Sequence, residues 1–60
     1  MGHMFVLFVN YNGFINVNDH CVNIVTKARM FCSRGEAEEY RAKLYNQRLF
    51  HNTISILEWL

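Results

Sequence analysis

Hydrophobic positions along this chain switch between two periods. "MFVLFVNY", Met4 to Tyr11, is apolar at nearly every position and rich in β-branched and aromatic residues, which predicts a strand. A strand with one wet face alternates apolar and polar residues, whereas this one is apolar on both sides. Phe5, Leu7, Val9 and Tyr11 share one face, and Met4, Val6 and Phe8 the other. Asn12-Gly13 follows, a dipeptide suited to a two-residue type I′ turn because both central positions need positive φ. "FINVN" then returns as a short strand, with Tyr11 opposite Phe14 and Phe8 opposite Val17. After the polar Asn18-Asp19-His20, "VNIVTKARMF" is again strand-like. It sets Ile24, Ala28 and Met30 on one side and Val25, Lys27, Arg29 and Phe31 on the other. "TISILEWL" predicts a final strand: Ile54, Ile56 and Leu60 point one way, and Thr53, Ser55, Leu57 and Trp59 the other.

Between the last two segments the period changes to that of a helix. In "SRGEAEEYRAKLYNQRL" Ser33 and Glu36 have capping-box spacing, with the serine accepting a first-turn amide and the glutamate reaching back to the amide of the cap. Glu36, Glu38 and Glu39 crowd the start while Lys43 and Arg48 lie toward the end, as the helix dipole favours. Ala37, Tyr40 and Leu44 form one stripe with Tyr45 at its edge. Gly35 weakens the first turn by up to about 1 kcal/mol. The expected fold class is α+β in the order β-β-α-β. One helix packs on one face of a three-stranded antiparallel sheet, which becomes four-stranded if the short hairpin strand forms. Alternating strand directions place the last strand antiparallel beside the first, so "FVLFVNY" is central.

This layout raises a question of cover. One helix buries one face of the central strand and leaves the other for something else. The reverse face is either Phe5, Leu7, Val9 and Tyr11 or the alternate set Met4, Val6 and Phe8. It is covered by a loop such as "NVNDHCVNI", left partly exposed, shaped into a small-ligand groove, or taken by a partner surface, since contiguous exposed apolar patches mark interaction sites.

Composition narrows the choices. Sixty residues make one domain, and 52% apolar content argues against disorder. A net charge of +1 exerts no strong pull on nucleic acid. Two cysteines do not make a disulfide framework, no run of about 18 apolar residues spans a bilayer, and "MFVLFV" lacks the basic leader of a secretion signal. The expected setting is cytoplasmic, with reduced thiols and no cofactor. "MGHM" reads as a cloning remnant, so residues 1–3 are set aside from a single domain over 4–60.

Candidate chemistry is sparse. His20, Cys21, Cys32 and His51 are zinc-capable types, but no C-x2-C pair exists and adjacent His20-Cys21 is an awkward chelate. Cys32 precedes the helix, where the dipole could activate a thiolate, yet no base or glycine-rich turn accompanies it. Lys27, Arg29 and Arg34 could line one edge for nucleic acid with Tyr11, Phe14 and Tyr45 for stacking, although five acidic residues nearly cancel six basic ones. No catalytic or metal residue is assigned, and an enzyme is not expected.

"ARMFCSRGEAEEYRAKL" followed by "TISILEWL" resembles a pattern in very small phage and bacterial proteins of unknown function. In these a strand ending in F-S-S-x-E-E-A-E enters a helix, and a final strand carries an isoleucine-x-acid-aromatic run. Phe31, Ser33, Glu36, Ala37, Glu38, Leu44, Ile56 and Glu58 match, over about the last half of the chain. The chain departs from the pattern at Gly35 and in "NYNGFINVND". The resemblance implies a β-β-α-β fold and a binder that alters a host protein. The expected function is therefore a non-enzymatic protein-interaction module, a phage-type modulator of a larger bacterial protein or a homodimer formed through its sheet. Phe5, Leu7, Val9, Tyr11, Phe14 and Trp59 are the candidate partner-binding residues, because buried aromatics dominate interface energetics. The rival is a small nucleic-acid-binding protein using Lys27, Arg29, Arg34 and the sheet aromatics. No membrane contact is expected.

Overall fold

A computed structural model describes residues 4–48 and 52–59. Leu60, assigned above to the face of Ile54 and Ile56, and His51, one of the zinc-capable residues, lie outside the described residues.

The fold is α+β: an open four-stranded antiparallel sheet with one helix. β1 (Met4–Val9), β2 (Gly13–Ile15) and β3 (Cys21–Val22) precede α1 (Arg34–Gln47), and β4 (Ile54–Trp59) closes the sheet. The strand order is β3-β2-β1-β4. β4 pairs antiparallel with the whole of β1, from Met4 opposite Trp59 to Val9 opposite Ile54, so the first strand is central, as alternating strand directions predict.

The pleat distributes the side chains. Leu7, Val9, Ile15, Ile54 and Ile56 join Phe31 and the helix residues Ala37 and Leu44 in one buried cluster, against which Phe5, Cys21 and Tyr40 also pack. The core is therefore on the helix side. Helix formation follows from its cap: Ser33 Oγ accepts from the Glu36 amide at 3.2 Å. The Glu36 carboxylate does not reach the cap's own amide as expected. It accepts instead from the Cys32 amide, one residue earlier, at 3.3 Å. Arg48 ends the helix in the left-handed conformation, its N–H donating to the Tyr45 carbonyl.

The middle of the chain departs from the sequence reading in two places. The hairpin is not a two-residue turn at Asn12-Gly13. Val9 pairs with Gly13 and Phe8 with Phe14, so the loop is Asn10 to Asn12, closed by Asn12 N–H to Val9 C=O at 2.9 Å. Tyr11 takes the left-handed position at the loop (φ 69°) and Gly13 has φ 118°. A Cβ at Gly13 would meet the Val22 carbonyl oxygen at 2.5 Å, so glycine is required by both backbone and neighbour.

"VNIVTKARMF" is not one strand either. Only Cys21–Val22 pairs with β2; a 3-10 turn then reverses the chain over Val25–Lys27, with Ala28 N–H donating to Val25 C=O. Arg29 N–H caps the Ile15 carbonyl where β2 ends, and Phe31 pairs with Phe5 through both its N–H and its C=O. The neighbour of β1 on this side is thus assembled from two pieces, β2 above and Phe31 below. The loop between them is organised by Asn16, whose Oδ1 accepts from the amides of Asn18 and His20.

Candidate interaction face

The face of the sheet turned away from the helix follows from the register. Cross-strand partners share a face, so Met4, Val6, Phe8, Phe14, Val22, Ser55, Leu57 and Trp59 stand together there. The set holds no charged residue. Val6, at its centre, is 1% exposed, and Ala28 is also buried; neither belongs to the helix-side cluster. Phe8 and Phe14 pack edge-on, ring centroids 5.1 Å apart. Around this closed centre the outer residues are wet: Leu57 is 41% exposed and Trp59 37%, while Met4, Phe8, Phe14 and Val22 are half-buried. Among the described residues the one α-helix packs on the other side, and no second sheet is present.

The candidate partner-binding residues divide accordingly. Phe14 and Trp59 lie on the open face. Tyr11 lies at the hairpin tip and is 89% exposed. Leu7 and Val9 are fully buried beneath the helix and offer no docking surface, and the half-buried Phe5 packs against the same core. The face left open is the alternate set Met4, Val6 and Phe8. The sequence left open which set of β1 faces away from the helix, and Met4, Phe8 and Leu57 were not among the candidate partner-binding residues. The available signal was the clean Ile54-Ser55-Ile56 alternation, which marks the helix side of β4 and, carried across an antiparallel register, of β1 as well.

The basic residues are not aligned along an open groove. Arg29 stacks on the Tyr40 ring, 4.7 Å from its centroid, and donates through Nη2 to the Val17 carbonyl at 2.8 Å. Arg34 leans over the Phe5 ring at 5.9 Å, on the helix side and away from Phe8 and Phe14. Lys27 is exposed in the 3-10 turn. Tyr40 gathers further contacts: its hydroxyl donates to Asp19 Oδ1, tying the Asn16–His20 loop to the helix, and Lys43 approaches its ring. Burial, and then the bond to Asp19, push the Tyr40 phenol above its ordinary pKa.

The zinc-capable and thiol groups are scattered. Cys21 is half-buried against the core, and burial raises its thiol pKa. Cys32 is exposed at the helix start, and both cysteines are free thiols. Among the described residues no three His, Cys, Asp or Glu side chains converge on a common point, and no cavity opens. No helix among them is long and apolar enough to cross a membrane.

Fold and face together define a small α+β domain with a half-open antiparallel sheet. No family model, curated protein or solved structure matches the chain.

Proposed function

We propose that this chain is a non-enzymatic protein-interaction module that docks a larger protein onto the helix-free face of its sheet. The observation that carries this reading is the uncharged, partly wet strip of Met4, Phe8, Phe14, Val22, Leu57 and Trp59. Burying such a strip releases about 25 cal/mol for each Å² of apolar surface, and no ion has to be stripped of water. No cavity opens among the described residues, which suits a broad protein surface better than a small molecule, since small molecules bind in concave pockets.

A larger partner is favoured over a second copy by size. The molecule's broadest outline is 34 × 23 Å, and the strip fills only part of it. As a flat projection even the whole outline, 34 × 23 Å or about 780 Å², only approaches the roughly 800 Å² per partner of a standard stable interface. A larger protein can also reach beyond the strip, to exposed side chains such as Tyr11 at the hairpin tip and Ile24 just after β3. The resemblance to small phage proteins fits a bacterial host protein in the cytoplasm as that partner, with modulation of the host protein as the outcome.

The test is site-directed photocrosslinking in cells with a benzophenone residue at Leu57 or, as a control, at Lys43 on the helix. Any species trapped is then purified and titrated. The expected result is one protein trapped from Leu57 alone. Its affinity falls at least tenfold with Leu57→Asp or Trp59→Ala and barely changes with salt. Equal trapping from both positions, crosslinking only to a second copy of the chain, or a nucleic-acid complex that weakens steeply with salt would each overturn the proposal.

A further inference from the structure

The outer edge of β4 carries a second device, independent of what docks on the open face. Asn10 N–H donates to the Thr53 carbonyl, which continues the β1–β4 register by one pair and identifies Thr53, Ser55, Leu57 and Trp59 as the residues whose backbone groups turn toward β1. Ile54, Ile56 and Glu58 therefore turn their N–H and C=O outward, to the edge where another strand would add. At Ile54 both groups are already engaged by the helix. The Ile54 N–H donates to Tyr45 Oη at 2.8 Å, and Arg41 Nη1 donates to the Ile54 carbonyl at 3.2 Å. Arg41 and Tyr45 lie four residues apart in α1, on the side that overhangs β4.

We infer that Arg41 and Tyr45 are edge guards, which hold the donor and acceptor that a neighbouring strand would need and so keep β4 from pairing with β4 of another copy. An unguarded edge is a template for intermolecular pairing, and natural sheets blunt it with charge or a covering element. Here one side chain supplies the hydroxyl acceptor and the other a charged donor, matched to the two polarities of a single peptide position. β4 is short, so closing its first outward residue removes a large part of the ladder an added strand could form. The sheet is thereby steered toward contact through its face.

The test pairs amide exchange with association state, using Tyr45→Phe, Arg41→Met and the double variant. Tyr45→Phe removes only the hydroxyl of an exposed ring, so the fold is retained, and thermal unfolding followed by circular dichroism verifies this. The expected result is at least tenfold faster exchange of the Ile54 amide in Tyr45→Phe, with the Ser55 and Leu57 amides unchanged. The double variant should sediment as dimers or larger β-rich species at concentrations where the wild type is a monomer. An Ile54 amide in the wild type that exchanges as fast as an open-loop amide would overturn the inference. So would a folded double variant that stays monomeric.

Discussion

The two faces of one sheet differ in how they are finished. Beneath the helix, Leu7, Val9, Ile54 and Ile56 meet Ala37 and Leu44 in a dry, continuous core. On the other side only the centre is sealed, and Leu57 and Trp59 remain partly in water. Both faces of β1 have nearly the same composition, so hydrophobicity does not separate them. The difference comes from whether a second layer exists, and it separates residues that hold the fold from residues available for binding.

Truncation tests that separation most strongly. Leu44→Ala removes a fully buried side chain between helix and sheet and should cost about 2–5 kcal/mol in denaturant unfolding, whereas Leu57→Thr on the open face should cost under about 1 kcal/mol. Equal costs would mean that the open face is as tightly built as the closed one. Gly13→Ala comes next. With φ at 118° and the Val22 carbonyl in the way, the variant should lose about 1–3 kcal/mol as the β2–β3 pairing shifts, read as a lower denaturation midpoint.

The smallest effect is a dependence on pH. The folded state raises the Tyr40 pKa, so it holds the phenolic proton more tightly than the unfolded chain does. That contribution is complete below the unfolded value near 10 and is lost as pH rises through the folded value. The wild type should therefore lose thermal stability above about pH 10 more steeply than Tyr40→Phe. Parallel curves for the two proteins would remove the Tyr40–Asp19 link from the account of the closed side.

The capped helix, the central first strand and the antiparallel last strand were all legible, because each depends on local pattern and simple connectivity. Ser33 and Glu36 announce the cap, and the Ile54-Ser55-Ile56 alternation announces the helix side of β4. The region from Asn12 to Met30 was not legible. Its β-branched residues favour extended backbone, yet the Asn10–Asn12 loop, the Asn16 side-chain bonds and the 3-10 reversal at Val25–Lys27 are set by side-chain acceptors and by the need to bring Phe31 beside Phe5. None of these leaves a periodic trace. The candidate interaction site was half legible for a related reason: a strand apolar on both sides reveals that two surfaces exist but not which one the helix takes. The bonds that Arg41 and Tyr45 make to β4 were not legible because their partners are backbone atoms of a strand nine to thirteen residues away.

The pairing of Met4 with Trp59 also bears on synthesis. During translation β1 leaves the ribosome well before β4, its neighbour on one flank. Until then a greasy ribbon waits with a bare border in a crowded cell, in reach of chaperones and proteases. Completion is close to all-or-none, and a product cut short before residue 54 would be cleared rather than stored.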